Sequence, residues 1–414
     1  MKASVLRGMA AAVAGALVLA GAAAGAVAAD PYRINVVLPL TGGASFLGKA
    51  EQQTLQLVQK RVNDTGGIGG GIGGDRTLEF VFHDDQSVPQ TAVQLTSRIL
   101  AERPAVVIGS AVSAMCKAMA PLMVNGSVMY CLSPAIHPGP GSSVFTSGVS
   151  THHLGQALIR HFRLQGWTRI AIMTSSDATG QDADKGFEET LKLPENTAVT
   201  VVAWPHFTAG DVSVSAQLET IKAARPQALI AWSTGAAIAT IFKGIVQAGL
   251  DLPVGTTDGN MTLAQMNQYA AFLPRDLYLP AARWAVLGHA GDPAVMAVQR
   301  DFVEAFRTAG RAPESPSAYA WDPAMLVVDA LRVLGPAATG PQLRDHLARL
   351  KDYVGVNGAY DFQRFPQRGL DVENAVVTRW DASRQSWTPV SGPAGRLADL
   401  PAGLPGTANR AAAD

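Results

Sequence analysis

Five short polar segments stand at the predicted ends of β-strands, and their side chains are of types that hold small charged ligands. The segments are Gly109–Ser113, Ser133–His137, Ser175–Thr179, Ser233–Gly235 and Thr256–Gly259. Ser113 stands where a helix begins, so its hydroxyl and the free amides of the first turn can hold a carboxylate. Asp258 is an acceptor that can hold an ammonium group. Each of these residues could equally serve only to cap a helix.

The sequence lacks the usual signatures of catalysis. No GxSxG, HExxH, CxxC or Ser-Xaa-Xaa-Lys motif occurs in it. The segment Gly43–Lys49 matches the spacing of a nucleotide phosphate loop, but Ala50 stands where a Ser or Thr should hold magnesium. We therefore expect neither an enzyme nor a bound cofactor.

Three histidines are candidates for metal ligands, because imidazole is the commonest ligand in proteins. They are His152, His153 and His161. His153 and His161 are two turns apart along a helix, and no carboxylate or cysteine has a matching spacing. We therefore predict no metal site.

Short β-rich runs alternate with longer amphipathic segments from Ile34 onward. The strand candidates are Ile34–Leu38, Leu78–His83, Ala105–Ile108, Val128–Leu132, Arg169–Thr174, Val199–Trp204, Ala228–Trp232 and Asp276–Leu279. The helix candidates between them are Glu51–Asn63, Pro89–Glu102, Ser113–Val124, Leu154–Gln165, Asp182–Leu193, Val214–Ala224 and Ala236–Ala248. Continuous apolar strands separated by such helices are typical of parallel βαβ units that are buried on both faces. The predicted fold class is therefore α/β.

The strand-helix series is interrupted near Ser147–Ser150 and starts again after it. A third region follows, with helices at Ala294–Thr308 and Asp322–Val333 and a β-like stretch from Ala359 to Val390. The simplest arrangement is two doubly wound domains with parallel sheets. In such folds, ligands bind in the crevice that the carboxyl ends of the strands face.

The ends of the chain and its charge balance restrict where it acts. Lys2 and Arg7, an apolar stretch and the small-residue run Ala26–Asp30 are typical of a cleaved secretory signal over residues 1–29. No cysteine lies near the cleavage point, so we expect no lipid anchor. The 33 basic residues balance 33 acidic residues, which argues against nucleic acid or an anionic membrane as partner. Residues 392–414 lack periodicity and are predicted to form a disordered tail.

Cys116 and Cys131 are the two cysteines of the chain. Cys116 lies in the first turn after Ser113, and Cys131 lies near the carboxyl end of a strand. In a right-handed βαβ unit both should be on the same side of the domain. Their Cα atoms could then approach the roughly 4.4–6.8 Å that a disulfide requires. The alternative is a pair of buried free thiols.

An ordered set of short motifs runs along nearly the whole chain, from Asn35 to about Val390. The motifs are Leu38–Gly42 with Gly48, Val62–Ile68, Asp84–Asp85, Val106–Gly109 with Ser113, Ser133–Ala135, Gly210–Ser213, Gln247–Leu250, and Gly358–Phe362 with Arg368–Gly369. With this set the sequence resembles the branched-chain amino-acid binding proteins, the leucine/isoleucine/valine-binding family of type I periplasmic binding proteins.

The interrupted series and this resemblance together imply two lobes that close on a ligand by hinge motion. Lobe 1 would contain residues 30–148 and 283–374, and lobe 2 residues 149–282 and 375–391. The chain would cross between the lobes three times, near Ser147–Ser150, near Ala281–Trp284 and near Glu373–Val376.

The resemblance also implies how the polar end of a ligand is held. Ser113, Ala135 and His137 would hold its carboxylate, and Asp258 would face its ammonium group. The family often has a Thr where His137 stands, but the retained Asp258 favours an amino acid.

The resemblance implies, in addition, that Leu47, Thr179 and Thr234 contribute to the wall of the site. The family often has aromatic residues at these three positions. The different wall leaves the side chain of the ligand open.

These implications favour a periplasmic substrate-binding protein, a monomer that delivers an amino acid or related small carboxylate to the permease of an ABC importer in the inner membrane. Relatives with similar architecture bind aromatic acids or amides, so that class of ligand is an open alternative. A sensory or accessory binding protein of a periplasmic system is a second alternative.

Overall fold

A computed structural model describes residues 30–69, 76–286 and 292–397. The predicted signal peptide at residues 1–29, and residues 398–414 of the predicted tail, lie outside the described residues. Within the described ranges, none of the helices has both the length and the apolar character needed to cross a bilayer.

Strands and helices alternate along the chain and are numbered in chain order. The strands are β1 (Tyr32–Leu38), β2 (Leu78–Asp84), β3 (Val106–Gly109), β4 (Val128–Cys131), β5 (Val144–Thr146), β6 (Arg169–Ser175), β7 (Thr200–Ala203), β8 (His206–Phe207), β9 (Ala228–Trp232), β10 (Val254–Gly255), β11 (Leu277–Ala282), β12 (Tyr353–Gly355), β13 (Gly358–Tyr360), β14 (Ala375–Asp381) and β15 (Ser386–Pro389). The α-helices are α1 (Ser45–Asp64), α2 (Pro89–Ala101), α3 (Ser113–Met119), α4 (Thr151–Leu164), α5 (Ala178–Leu191), α6 (Ser215–Ala223), α7 (Ala237–Gln247), α8 (Leu263–Gln268), α9 (Pro293–Thr308), α10 (Ser315–Leu334) and α11 (Gly340–Leu347).

The first sheet has five strands in the order β2–β1–β3–β4–β5, and all of its pairings are parallel. Every residue of β3 and β4 is buried, as expected for a parallel sheet that is covered on both faces. Helix α10 packs against α1, and α11 contacts β4. The region after β11 therefore returns to the side of the first sheet.

The second sheet has eight strands, with β15–β14–β11–β10–β9–β6–β7 in order and β8 also paired with β6. Strands β6 to β11 pair in parallel, whereas β14 and β15 are antiparallel additions at one edge. The stretch predicted as β-like, Ala359 to Val390, contains these two strands and part of the separate hairpin β12–β13. The predicted α/β class with two parallel-sheet lobes is confirmed, with this antiparallel edge added.

The two sheets draw on different parts of the chain. The first takes its strands from residues 32–146, and the second from residues 169–282 and 375–389. The chain passes between the two sides after β5, after β11 and before β14. The lobe boundaries given above remain predictions.

Helices α1 and α10 begin six and seven residues, respectively, before the sequence-predicted starts at Glu51 and Asp322. Helix α1 begins at Ser45, so most of the segment that mimics a phosphate loop is helical, and Gly48 lies where a Cβ would overlap the carbonyl of Pro39. Helix α10 begins at Ser315 because Glu314 and Ser317 form a capping box. Both starts depend on local contacts and not on the apolar pattern.

The prediction of a disordered tail is wrong for residues 392–397. Pro393–Gly395 form a short 3-10 turn, and the side chain of Ala394 is fully buried. The Nη1 atom of Arg160 donates a hydrogen bond to the Ala394 carbonyl over 2.7 Å, and Arg396 pairs with Glu373. These contacts attach the segment to α4 and to the loop before β14.

Cys116 and Cys131 form a disulfide, with their Cα atoms 6.0 Å apart. The bridge joins the first turn of α3 to the end of β4. It therefore connects two loops at the carboxyl edge of the first sheet, residues 110–112 and 132–137.

We expect the bridge to stabilise the protein against unfolding. It closes a loop of sequence separation 15, for which the chain-entropy model gives about 3 kcal/mol. Urea denaturation with and without reductant should show a loss of this size in the free energy of unfolding. A Cys116→Ser/Cys131→Ser double variant is the control, since reductant should not affect it. Two labelled cysteines after alkylation of the unreduced, denatured protein would contradict the bridge.

Candidate functional site

The carboxyl ends of the two sheets face each other across a closed cleft. The side of the first sheet contributes Leu47, Glu51, Ala111, Val112, Leu132, Ser133, Pro134, Ala135, Pro316 and Tyr319. The side of the second sheet contributes Thr151, Thr179, Trp232, Thr234, Thr257, Asp258 and Gly259. The cavity volume is about 30 Å³, which is room for roughly two water molecules. A larger ligand enters only if the two sides move apart.

Asp258 carries a carboxylate that links the two sides of the cleft. It begins a short turn after β10 and is 1% exposed. Its Oδ1 accepts a hydrogen bond from the Thr257 hydroxyl over 3.0 Å, and its Oδ2 accepts from the Ser315 hydroxyl over 3.3 Å and from the Tyr319 hydroxyl. Ser315 and Tyr319 belong to α10, so two of the three hydroxyl groups that donate to the Asp258 carboxylate come from the opposite side of the cleft.

The pKa of Asp258 reflects two opposing effects. Burial raises the pKa from 3.8 to about 6, and the hydroxyl groups, that of Tyr319 first, limit the rise by favouring the ionised form. At neutral pH the group is therefore a buried anion with hydroxyl partners and no cationic partner among the hydrogen bonds described.

Glu51 is a second carboxyl group in the wall of the cavity. It lies on α1 and is 2% exposed, and its Oε2 has no hydrogen-bond partner within residues 30–69, 76–286 and 292–397. Burial, assisted by the nearby charge of Asp85, raises the pKa of Glu51 well above its usual value. A neutral carboxylic acid has both a donor and an acceptor oxygen, so Glu51 can bond either kind of ligand atom.

Backbone and side-chain contacts hold the cleft closed. The hydroxyls of Ser113 and Thr179 are 3.2 Å apart, and the amide of Ala236 donates to the Gly43 carbonyl over 3.1 Å. The amide of Leu263 donates to Glu314 Oε1 over 2.6 Å. Each contact joins the side of the first sheet to that of the second.

Trp232 forms an apolar wall at the end of β9. Its side chain is fully buried and packs edge-on against Phe187, with the ring centroids 5.3 Å apart. Its indole N–H lacks a hydrogen-bond partner in the described part of the chain. Since a buried indole usually finds an acceptor, this donor is available to a polar atom near it.

Five of the seven predicted site residues line the cavity: Leu47, Ala135, Thr179, Thr234 and Asp258. Ser113 is not one of the lining residues. It follows the lining residue Val112, is 1% exposed and points its hydroxyl at Thr179.

His137 lies outside the cavity, contrary to its predicted position. Its Nε2 is 2.9 Å from Oδ1 of Asp182, and 39% of its side chain is exposed. The guanidinium of Arg368 donates to the carbonyls of Pro134 and Ile136, and Ile136 packs into the core. The loop is thereby fixed so that the next side chain points away from the cleft.

The sequence did not single out Glu51, Tyr319 or Trp232. Glu51 carried a detectable signal, because it stands on the buried stripe of α1, four residues after Leu47 and four before Leu55. A carboxyl group on such a stripe is unusual. Tyr319 carried no local signal, because only the packing of α10 brings it to Asp258.

Comparison with known proteins identifies what the chain is similar to. The family described as periplasmic binding protein matches residues 31–385. The leucine-, isoleucine-, valine-, threonine- and alanine-binding protein of Pseudomonas aeruginosa is 21% identical over 241 residues, which are 57% of this chain. The match spans 62% of the length of that relative.

Solved structures share the fold over most of the chain. The branched-chain amino acid binding protein LivJ of Streptococcus pneumoniae, in complex with isoleucine, is 20% identical with a TM-score of 0.71, covering 86% of this chain and 97% of its own. A solute-binding protein of an ABC transporter from Rhodopseudomonas palustris, in complex with benzoate, is 18% identical with a TM-score of 0.71 and coverages of 90% and 98%. At such identities the likeness shows the fold alone.

The buried Asp258 carboxyl should make the stability of the protein depend on pH. Its folded pKa of about 6 exceeds its ordinary value of 3.8, so between about pH 4 and about pH 6 the folded state keeps a proton that the unfolded state has lost. The contribution of Asp258 to the free energy of unfolding therefore falls as the pH rises through this window and is level above it.

We expect the free energy of unfolding of Asp258→Asn, minus that of the wild type, to increase by about 2 kcal/mol from about pH 4 to about pH 7. Urea denaturation at several pH values measures this difference. Asp251→Asn, at an exposed carboxylate paired with Arg275, should give a nearly constant difference. The same constancy for Asp258→Asn would contradict the raised pKa.

Proposed function

Because the chain belongs to the periplasmic binding protein family, we propose that it is the substrate-binding component of an ABC importer and takes an amino acid or related small carboxylate into its cleft. The chain is a binding protein and not an enzyme. The observation that carries the proposal is the buried Asp258 carboxylate, which stands between the two sides and has no cation beside it.

The charges around the cavity support a ligand with a positively charged group. Asp258 places a carboxylate at the cavity, and none of the lining residues, in the part of the chain that the structure describes, is Lys, Arg or His. A buried carboxylate without a cation is costly, and an ammonium group reduces that cost. The ammonium group of an α-amino acid would therefore bind at Asp258 and replace some of the hydroxyl groups that now donate to its carboxylate.

The carboxylate of the ligand would bind on the opposite side, near Ala135 and Ser113. This placement follows the family resemblance and puts the two charges of a zwitterion at opposite sides of the cleft. The hydroxyls of Ser113 and Thr179, now in contact with each other over 3.2 Å, would turn toward the ligand when it separates them.

The size of the cavity supports a closing motion. A volume of about 30 Å³ is far below the space that ligand sites usually offer, about 300 Å³ or more. The protein would therefore bind its ligand in an open form and close around it by hinge motion.

A small aromatic acid or amide is the second candidate ligand. The buried Trp232 and the apolar side chains of Leu47 and Leu132 form a surface that suits an aromatic ring. The raised pKa of Glu51 allows its neutral carboxyl group to donate to a carboxylate. The structural relative from Rhodopseudomonas palustris holds benzoate.

The proposed partner is the permease of the importer in the inner membrane, and the proposed location is the periplasm. The family match and the secretory pattern of residues 1–29 support both. A permease would receive the ligand when the two lobes open.

A thermal-shift screen of amino acids, amides and aromatic acids should find the ligand, because binding to the folded state alone raises the melting temperature. Calorimetry on Asp258→Ala then separates the two ligand classes. For an α-amino acid we expect affinity to fall more than tenfold, since removal of one partner of a buried charge pair costs about 2–5 kcal/mol. For an aromatic acid without an amine the change should be small.

The control for calorimetry is Asp251→Asn, which alters an exposed carboxylate far from the cavity lining and should leave affinity unchanged. An amino acid that binds Asp258→Ala as tightly as the wild type would overturn the assigned role of Asp258. A screen in which no compound of these classes shifts the melting temperature would count against the proposed ligands.

A further inference from the structure

Three side chains with metal-ligand atoms meet beside the cleft, outside the cavity described above. They are His137, from the loop after β4, His152 on α4 and Asp182 on α5. Asp182 Oδ1 lies 2.9 Å from Nε2 of His137 and 3.5 Å from Nε2 of His152. The first histidine belongs to the side of the first sheet and the other two residues to that of the second.

Neighbouring residues fix the orientation of His152. Its Nδ1 lies 3.0 Å from Oε2 of Glu189. A carboxylate accepts, so Nδ1 carries a proton, and Nε2 is the ring nitrogen that faces Asp182. Gly186 allows α5 to approach this closely, because a Cβ there would lie 2.7 Å from His152 Cδ2. A carboxylate behind the distal nitrogen is the usual support of a metal-binding histidine.

Two ligand atoms of the group are buried and lack hydrogen-bond partners. Among the described residues, neither Nε2 of His152 nor Oδ2 of Asp182 has such a partner, and the side chain of Asp182 is only 5% exposed. Buried polar atoms are rarely left without a partner. A cation between the two atoms would give each of them a partner.

We propose that His137, His152 and Asp182 bind a divalent transition metal ion that joins the two lobes. Two imidazoles and one carboxylate, with a fourth position left to water, suit zinc best. The three ligand atoms lie within 4.8 Å of one another. Bonds of about 2.0–2.2 Å to one ion require only small rotations, and the half-exposed His137 is free to make them.

The surroundings provide an entry path and a destination for the displaced proton. A cavity of about 320 Å³, lined in part by His137, His152 and Gln156, adjoins the two histidines. Metal binding replaces the proton that His137 Nε2 shares with Asp182, and this proton passes to water. Because the ligands come from both sides, the ion would favour the closed arrangement.

This inference differs from the sequence-based expectation of no metal site. Of the three histidines considered in the sequence analysis, His152 belongs to the proposed site, whereas His161 lies away from it and packs against the ring of Tyr278. Asp182 lies 45 residues from His137, so no local spacing connected them.

Calorimetry with zinc chloride tests the proposal on protein that is purified without a histidine tag and freed of metal by a chelator. We expect one zinc ion per chain. His137→Ala, His152→Ala and Asp182→Asn should each weaken binding more than tenfold, and Glu189→Gln by about tenfold or more. Cobalt should give the visible absorption of a tetrahedral site in the wild type, and this absorption should be lost in the three ligand variants.

The matched control is His206→Gln. His206 pairs with Asp184 at 3.0 Å on the same lobe, but none of the other described histidines joins that pair, so zinc affinity should not change. Melting curves in chelator identify any variant that fails to fold, and Glu189→Gln, which alters no ligand, then serves in its place. Absence of zinc binding, or zinc binding that the ligand variants leave intact, overturns the site. If His137→Ala binds zinc as tightly as the wild type, the ion does not join the two lobes.

Discussion

The burial of one carboxylate, Asp258, between two lobes is the constraint on which the closed structure depends. A buried anion is costly unless hydrogen bonds or a cation compensate it. Thr257 supplies one donor from its own side, while Ser315 and Tyr319 supply donors from α10 across the cleft. When the lobes separate, water takes over this role, so the closed and open forms can be close in free energy. A ligand with an ammonium group would then shift the balance toward closure.

The crossing segment and two loops are arranged so that these donors reach Asp258. The Ser147 hydroxyl donates to the Tyr319 carbonyl over 2.7 Å, and Gly148, with φ of 65°, lies where a Cβ would overlap the Tyr319 ring. Only glycine both adopts this backbone angle readily and leaves room for the ring. A larger residue at position 148 would displace the tyrosine from Asp258.

Arg368 fixes the loop after β4 and the crossing segment by hydrogen bonds. Its buried guanidinium donates to the carbonyls of Pro134, Ile136 and Gly148 over 3.1, 2.6 and 3.1 Å. Burial lowers the pKa of Arg368 to about 10, so it keeps its charge at neutral pH. One side chain therefore satisfies the carbonyls of a cleft loop and of a lobe crossing, and it fixes their relative position.

The sequence predicted those features that depend on local pattern. Strand β9 was predicted at both ends because its apolar run is continuous, and Asp258 was found because parallel strands place their carboxyl ends at one edge. Thr234 was assigned to the wall of the site by the family resemblance. Features that depend on tertiary contacts were missed. Tyr319 reaches Asp258 only through the packing of α10, and His137 faces outward because Arg368 fixes the preceding carbonyl.

Small-angle X-ray scattering on the ligand-free protein and on the protein saturated with its solute, both in chelator, measures whether the two lobes close around the solute. If the cleft encloses the solute, the two lobes must be farther apart before binding than after it, because the closed cavity of about 30 Å³ admits no organic molecule. We expect the radius of gyration to fall when the protein is saturated with its solute. An unchanged radius with a tightly bound solute would contradict it.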